Sequence, residues 1–516
     1  MSPRVRPVVG RPRKPDVPWR SPWLWSALAF AFLGTTWILT TPPAGGVDEI
    51  SHHIRVVGIA HGQLIGDEVE LDRPFALLEG LQLRRVNAES GSFRVPGHLV
   101  ALSGCYFMDA THPFDCAQPA PISGEIDEIS LHGKSLPGAY VIPAVFGRLG
   151  SDSVSALMWE RFGMLLQVAV MAVLAAMALR VAWRVSGSPS SAAVALLASS
   201  ITPVLAFLSG TVSPSAIEIW SALAAAATLI AFARTRSTRW LWTFVAVAVF
   251  TSWTRDFGAV VVMVAVVAAL MVESDLRAWC RTSGPRPWIT ASIVTFGVVS
   301  ALIWQAIYKY PLRPSIGSPR QVVDDVVTVL RVLRQGIGLG GWLNVPMNSI
   351  LEGLWLAGWL GSATFIVCRA RPLVRLVLLG IGLVIGAAGL YLVAMMRVAG
   401  FVLQARFLMP LLMVAVVVAV TSPLRQGATR VFEPWVLRAV FTVIGLSHVS
   451  ALLINAHRHA RGLNANPIDF SPAVWDPPGG WTLAMVLGSC GGLCVLVIPW
   501  CRRTRWPVTQ EHRTLS

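Results

Sequence analysis

The sequence predicts an all-α polytopic membrane protein, and three observations support that fold class. First, 54% of the 516 residues are hydrophobic and only 13% are charged, whereas an ordinary soluble domain has about 25% charged residues. Second, the chain contains about twelve apolar runs, most of them near the length that crosses a hydrocarbon layer of ~30 Å. Third, arginines collect between alternate runs, which is the pattern that orients membrane spans.

The apolar runs give about twelve transmembrane helices. They are predicted at residues 23–40, 157–180, 192–209, 216–233, 240–253, 257–272, 288–308, 350–368, 376–396, 407–420, 439–455 and 481–500. The fifth and sixth runs are separated only by Thr254-Arg255-Asp256. The first run is longer than the apolar part of a signal peptide and is followed by Pro42-Pro43, so we interpret it as a retained anchor.

The basic residues predict the orientation of these spans. The net charge is +15, but the arginines are interleaved with the apolar runs, which indicates membrane orientation rather than nucleic-acid binding. The N-terminal segment and every second loop are basic, whereas the acidic residues fall in the other loops. This pattern places both termini in the cytoplasm and the first long loop outside the plasma membrane. Lysine is rare beside arginine, alanine and valine, as in proteins from GC-rich bacterial genomes.

These boundaries divide the chain into seven segments. They are a cytoplasmic basic N-terminus (1–22), the first span (23–40), an exterior loop domain (41–156), a transmembrane bundle (157–308), a second exterior loop (309–349), a second bundle (350–500) and a cytoplasmic tail (501–516). The first exterior loop is long enough for a small domain that rests on the membrane. The second contains an amphipathic stretch from Val322 to Leu333. Cys105 and Cys116 are the cysteines predicted outside, where an oxidising compartment favours a disulfide between them.

A candidate site begins just after the first span, at Asp48-Glu49-x-x-His52-x-x-Arg55. If this stretch is helical, Asp48, His52 and Arg55 share one face, because residues four and seven positions apart lie on the same side of a helix. One interpretation is a functional site at the mouth of the membrane region. The other is a solvated start to an exterior loop.

Charged residues also lie at exterior ends of later spans, at Arg255, Asp256, Arg397 and Arg406. A charged group at this depth is unfavourable unless it is paired or faces a watery cavity, so each of these residues is a candidate for function. The arginines also have a simpler interpretation, in which their long side chains extend to the phospholipid head groups.

Four segments resemble motifs of one bacterial membrane family, known as domain of unknown function 2142. They are Asp48-Glu49-x-x-His52-x-x-Arg55, similar to D-E-P-A-H-x-x-R; Gly210-Thr211-Val212-Ser213-Pro214-Ser215 after Thr202-Pro203, similar to G-S-V-N-P-D; Gly341-Trp342-Leu343-Asn344 with Pro346, similar to G-W-L-D-x-x-P; and Gln404-Ala405-Arg406-Phe407-Leu408-Met409-Pro410, similar to Q-G-R-Y-x-x-P. The segments occur in the family's order. Ile50, Ser51, Ser213, Ser215 and Asn344 are among the positions that depart from it.

The layout of that family resembles the GT-C class of glycosyltransferases. The resemblance implies an inverting enzyme that takes a sugar from a polyprenyl-phosphate donor and transfers it to an acceptor of the cell envelope. It also implies a catalytic acid in the first exterior loop, and Asp48 and Glu49 occupy that place.

Glycosyl transfer requires a base for the acceptor hydroxyl and positive charge for the departing phosphate. Asp48 is the candidate base, with Glu49 either orienting it or sharing a divalent cation with it. His52 is a candidate for orienting Asp48, for ligating the cation or for binding the substrate phosphate. The alternative is that His52 only caps or hydrogen-bonds within the loop.

Arginine forks match phosphate oxygens, so Arg55, Arg255 and Arg406 are candidates for binding the lipid phosphate. Two other functions are alternatives. One is a transporter or flippase of a lipid-linked glycan, which uses the same arginines to hold phosphate. The other is a non-catalytic membrane partner of an envelope-assembly complex, with a degenerate site. A flippase requires charge through the middle of several spans, whereas here charge collects at the exterior ends. This distribution favours the enzyme.

Overall fold

A computed structural model describes residues 21–70, 81–104, 109–115, 119–187, 189–311, 317–340, 344–399, 403–422, 434–466 and 473–503. These residues are mostly helical, as the sequence predicts. Two small antiparallel sheets, each of two strands, were not predicted. The cysteines of the expected disulfide, Cys105 and Cys116, lie outside the described residues.

The first helix and the long loop that follows it contain four helices and one sheet. In chain order the elements are α1 (Pro22–Thr40), α2 (Glu49–Ala60), α3 (Leu81–Glu89), β1 (Gly91–Pro96), β2 (Glu125–Ser130) and α4 (Val141–Gly147). Strand β1 pairs with β2 from Gly91 opposite Ser130 to Pro96 opposite Glu125. Alternate residues of β1, including Phe93 and Val95, are buried against α2, as the two-residue period of a strand requires.

Most of the remaining elements are helices of the membrane bundle. They are α5 (Ser153–Ser186), α6 (Ser191–Ser199), α7 (Pro203–Ser209), α8 (Pro214–Thr235), α9 (Thr238–Ser252), α10 (Gly258–Val272), α11 (Ser274–Thr282), α12 (Arg286–Tyr308), α13 (Pro319–Gly338), the short strands β3 (Leu339–Gly340) and β4 (Val345–Pro346), α14 (Ser349–Arg369), α15 (Pro372–Ala399), α16 (Met409–Thr421), α17 (Pro434–Arg461) and α18 (Gly480–Val497).

The structure confirms several membrane spans but does not confirm the predicted number of about twelve. Among the described residues, eight helices are long and apolar enough to cross a membrane, or up to ten if two bent helix pairs are each counted as one span. All twelve predicted runs coincide with helices, but α9 has 15 residues and α16 has 13. At 1.5 Å per residue such helices reach only about 20 Å, which is too short for a straight crossing.

One predicted span, residues 192–209, is broken into α6 and α7 with a bend of 53°. Pro203 begins α7, where its missing N–H is harmless, and the Thr202 side chain accepts a hydrogen bond from Leu205 N. The break leaves carbonyl groups without helical partners. Trp355 Nε1 donates to Ser199 O at 2.8 Å, so a neighbouring helix satisfies one of them. The bend is therefore built into the packing.

Helix α8 is the centre of the bundle, and the whole of its apolar window is buried. It contains a run of alanines from Ala224 to Ala227. Small side chains let neighbouring helices approach closely in a membrane, and α8 packs on α5, α9, α10 and α16. At one end of α8, Arg234 binds Glu273 at 2.7 Å and the carbonyl of Thr421 at 2.8 Å. The candidate site lies at the opposite end.

Candidate functional site

Asp48 occupies the N-cap of α2 in an unusual backbone conformation. Its φ of 58° lies in the left-handed region, which aspartate tolerates better than most residues. The side chain makes no capping hydrogen bond to α2. It accepts a hydrogen bond from Arg406 Nη2 at 2.8 Å instead. The carboxylate is only 29% exposed, so it stands at the edge of a largely buried cluster.

Glu49, the neighbouring acid, points into the protein and forms a buried ion pair with Arg161 of α5. Arg161 Nη2 donates to Oε2 at 2.6 Å and Nε to Oε1 at 2.9 Å. The backbone N–H groups of Gly46 and Val212 donate to the same carboxylate at 2.9 and 3.0 Å. Each oxygen thus accepts two hydrogen bonds, which fills its lone pairs.

This environment determines the charge of Glu49. Burial raises the pKa of the Glu49 carboxyl group, but the Arg161 charge and the hydrogen bonds together lower it by more than burial raises it. The net pKa is therefore below the ordinary value. Arg161 also donates to the carbonyls of Thr41 and Pro42 after α1. The pair therefore fastens the end of α1, the start of α2 and α5 together, and the geometry assigns Glu49 a structural position.

Arg55 is fully buried rather than open to a substrate. It donates hydrogen bonds to the carbonyls of Gly133 and Ser135, and its guanidinium lies 5.3 Å from the centre of the Tyr140 ring. Burial lowers the pKa of Arg55 to about 10, so the group remains charged at neutral pH. Of the three residues predicted to share a face, Asp48 and His52 reach the cluster, whereas Arg55 holds the turn after β2.

That turn carries His132, a site residue that the sequence analysis missed. The His132 ring stacks on His52 with centres 4.2 Å apart, and its Nε2 lies 3.9 Å from Asp48 Oδ2. Ser130 fixes the turn to α2, because it donates to Ser51 O at 2.6 Å and accepts from His132 N at 3.1 Å. His132 is 84 residues from Asp48 in numbering and belongs to no spacing pattern, so only the tertiary structure brings it to the site.

The two histidines are neutral near pH 7. Burial is the largest cause that lowers the pKa of His52 well below its ordinary value, and the positive charges of Arg406 and Arg255 act in the same direction. Burial is also the largest cause that lowers the pKa of His132 to about 4, although Asp48 opposes it. Tyr140 Oη lies 3.0 Å from His52 Nδ1, which fixes the His52 ring.

Two arginines that the sequence predicts to bind phosphate, Arg255 and Arg406, lie in the same cluster. Arg406 lies in a single 3-10 turn, Ala405–Phe407, and Arg255 lies between α9 and α10. The guanidinium carbons of Arg406 and Arg255 lie 5.5 and 4.4 Å from the centre of the Phe407 ring, so both cations contact the same aromatic side chain. Arg255 also donates a hydrogen bond to Ser215 at the start of α8.

Arginine charge keeps Asp48 ionised. Burial raises the pKa of Asp48, but Arg406, His132 and Arg255 lower it more, and the net pKa lies below the ordinary value. With neutral histidines, one carboxylate therefore faces two guanidinium groups, and this inner cluster has a net charge of +1. At the edge of this cluster, Lys309 forms ion pairs with two carboxylates: its Nζ lies 3.4 Å from Asp256 Oδ2 and 3.2 Å from Glu89 Oε2.

A metal ion has one candidate set of ligands within the described part of the chain. Donor atoms of Asp48, His52 and His132 lie within 4.8 Å of one another. Imidazole and carboxylate are suitable ligands for zinc and other divalent metals. The set contains His132 in place of the Glu49 that the sequence analysis expected. Arg406 already binds the same carboxylate, and its charge opposes a cation there.

Comparison with known proteins gives one match. A family described as "Predicted membrane protein (DUF2142)" matches residues 30–415. The chain belongs to this family. The matched residues contain Asp48, His52, His132, Arg255 and Arg406. No curated protein and no solved structure matches the chain.

The resemblance to DUF2142 was carried by four motifs, and three of them meet at the cluster. The first supplies Asp48 and His52. The second supplies Val212, whose N–H binds Glu49, and Ser215, which binds Arg255. The last supplies Arg406 and Phe407. In the Gly341-Trp342-Leu343-Asn344 motif, the first three residues lie outside the described residues.

A small, mostly apolar pocket lies between α1, α7 and α17 and is lined by residues that include Trp37, Phe207 and Met347. None of the cluster residues lines it. Because the pocket holds few groups that support chemistry, the Asp48 cluster is the candidate site of this DUF2142 protein.

Proposed function

We propose that this protein is an integral membrane glycosyltransferase of GT-C-like architecture. It transfers a sugar from a polyprenyl-phosphate donor to an acceptor of the bacterial cell envelope at the exterior face of the plasma membrane. One observation carries the proposal: a carboxylate and two guanidinium groups meet at one end of a bundle of apolar helices. A base and a phosphate binder are thus adjacent at the membrane boundary.

The proposed reaction is a displacement at the anomeric carbon of the sugar. Asp48 accepts the proton of the acceptor hydroxyl, and the acceptor oxygen forms a bond to the anomeric carbon. The bond from that carbon to the phosphate oxygen breaks, and polyprenyl phosphate leaves with the electron pair. Attack opposite the leaving group inverts the anomeric configuration.

Arg255 and Arg406 match the leaving group. The phosphate gains negative charge as the bond breaks, and fixed positive charge stabilises that change. A planar guanidinium presents paired donors to phosphate oxygens. Phe407 holds both groups on one ring, which reduces their motion before the donor binds. Arg55, which contacts backbone carbonyls, is not part of this binding role.

His52 and His132 position Asp48. Both rings are neutral and stacked, and Tyr140 fixes His52 from behind. If a divalent cation takes part, these two histidines and Asp48 are its ligands, and it would supply charge for the departing phosphate.

The arrangement of charge supports the proposed orientation. Arg234 lies at the end of α8 away from Asp48, where it binds Glu273 and the carbonyl of Thr421. The positive-inside rule makes that end cytoplasmic and the Asp48 end exterior. A donor anchored in the bilayer reaches such a site through the lipid phase, so the proposal requires no nucleotide-sugar pocket.

The envelope glycans of a strain without this protein test the function. We expect the strain to lose a defined sugar, which the wild-type gene restores and the Asp48→Asn variant does not. Asp127→Asn, on the exposed face of β2, is the matched control and should restore it. Unchanged glycans in the deletion strain would contradict the proposed function. Restoration by both variants would contradict the role of Asp48 and direct attention to transport of the lipid-linked glycan.

A further inference from the structure

Helix α13 has an apolar face that the rest of the described chain leaves uncovered. Five aliphatic residues lie along it: Val322, Val323, Val326, Val327 and Leu330, with Val323 and Leu330 each 62% exposed. At 100° per residue these side chains occupy one continuous arc of the helix. Val329 and Val332 lie on the adjacent face and are buried.

The other side of α13 is charged. Arg320, Asp324 and Arg331 lie on the arc beyond the exposed valines and are themselves exposed. Helix α13 carries too many charged residues to cross a membrane, and it is not one of the eight helices that are long and apolar enough to do so. An apolar arc beside a charged arc is typical of a helix that lies in the plane of a membrane interface.

The contacts of α13 place it at the membrane boundary on the Asp48 side. Asp325 pairs with Arg397 near the end of α15, and a Cβ on Gly389 would lie 2.8 Å from Val329, so the two helices are in close contact. Eight residues of α15 correspond to about 12 Å of helix, so α13 crosses the terminal part of this span.

Helix α15, on which α13 packs, has an exposed apolar surface of its own. Leu383 of α15 is 75% exposed and Tyr391 is 49% exposed, and both belong to a helix that is long and apolar enough to span the membrane. Lipid is the environment of that surface. Helix α13 therefore packs on a span whose exposed side contacts acyl chains.

We propose that α13 is seated in the lipid leaflet on the Asp48 side of the protein. Its five exposed aliphatic side chains contact acyl chains, and its charged arc faces the phospholipid head groups. A Cβ on Gly336 would lie 2.9 Å from Ala405, so α13 also packs closely on the turn that carries Arg406. Seating α13 in the leaflet thus fixes the position of Arg406 relative to the membrane surface. The inference does not depend on the proposed function.

Photo-crosslinking tests this inference with the full chain in nanodiscs of phosphatidylethanolamine and phosphatidylglycerol. Separate variants carry p-benzoylphenylalanine in place of Val323, Leu330, Asp324 or Leu383, and mass spectrometry counts the lipid adducts after illumination. All four positions are exposed, so the substitutions leave the packing intact. Leu383 on the span is the positive control, and Asp324 on the charged arc is the matched control.

We expect Val323 and Leu330 to form lipid adducts at a yield similar to that of Leu383 and at least about tenfold above that of Asp324, because only the apolar arc enters the acyl region. Adducts at Leu383 without adducts at Val323 and Leu330 would overturn the proposal. A crosslink from Leu330 to a second copy of the chain would also overturn it, because another protein surface would then cover the arc.

Discussion

The carboxylate of Asp48 and the guanidinium of Arg406, which are 358 positions apart in the sequence, are joined by a hydrogen bond of 2.8 Å. This contact links the first and last motifs of the matched family region. It also places the proposed base beside the proposed phosphate binder, and the predictions below follow from this relationship and from the residues that support it.

Arg406→Lys should lower kcat for sugar transfer by about 100-fold, the usual loss when one group that stabilises a developing charge is removed. Lysine retains the charge but lacks the paired donors of the guanidinium. Steady-state kinetics in nanodiscs measure the effect. Arg397→Lys is the matched control, because Arg397 pairs with Asp325 on α13. Equal losses in both variants would contradict a specific role for Arg406.

Glu49→Gln should destabilise the protein by about 3–5 kcal/mol, because it leaves the buried charge of Arg161 without its partner. Both side chains of this pair are fully buried. We expect a lower melting temperature in detergent and reduced yield. Asp48→Asn, at a partly exposed carboxylate, should melt close to wild type. The structural position of Glu49 is wrong if Glu49→Gln is as stable as wild type.

The Arg55→Lys variant distinguishes two roles for Arg55: phosphate binding, which the sequence predicts, and support of the turn after β2, which its contacts in the structure indicate. The sequence predicts that Arg55 binds phosphate, in which case the variant has a higher KM for the donor. The buried contacts with Gly133 and Ser135 instead predict a loss of about 1–3 kcal/mol of stability, because carbonyl groups lose donors. Thermal melting and donor titration of the folded fraction separate the two outcomes.

The dependence of the transfer rate on pH should report the ionisation of Asp48. Its pKa is lowered by Arg406 and His132, and only the ionised form accepts a proton, so transfer should stay constant from neutral pH down to about pH 5 and fall below that. Arg406→Gln removes the positive neighbour, which raises the pKa of Asp48 and moves the acidic limb to higher pH. An inflection of the wild-type profile near pH 6.5 would instead indicate that a histidine titrates.

Treatment with a chelator tests whether the proposed sugar transfer requires a metal ion. Because Arg406 occupies the Asp48 carboxylate, we expect transfer to persist after treatment with EDTA and purified protein to contain less than one metal ion per chain by elemental analysis. Loss of activity that zinc or magnesium restores would show that a cation displaces Arg406. His132→Ala, which removes one of the three donors, should then abolish metal binding.

The sequence predicted the features that depend on neighbouring residues. Hydropathy located the helices because each apolar run determines its own helix, and the helical period placed Asp48 and His52 on one face. The predicted number of about twelve spans is not confirmed, because hydropathy does not report helix length, and α9 and α16 are apolar but short. The bend between α6 and α7 depends on Pro203 and on the distant Trp355, which satisfies a carbonyl at the break.

Contacts between distant residues were outside the reach of sequence patterns. Asp48 and Glu49 are adjacent acids, and no sequence pattern distinguishes their roles. In the structure Arg161, which is 112 positions from Glu49, binds Glu49. His132 enters the site because Ser130 and Arg55 hold its turn against α2. Arg255 and Arg406 were found as candidates because charge at the end of a span is unfavourable without a partner, and the structure supplies Phe407 as the shared surface.

The most direct test of the central claim is consumption of the lipid-linked donor by the purified protein. Membrane lipids from the deletion strain, in which unused donor should accumulate, are combined in nanodiscs with wild type, Asp48→Asn or Asp127→Asn and with envelope glycan as the acceptor. The account predicts that wild type and Asp127→Asn convert the donor to polyprenyl phosphate, and that Asp48→Asn does so at least about 1,000-fold more slowly, because it lacks the general base. Conversion by Asp48→Asn at the wild-type rate would contradict the account.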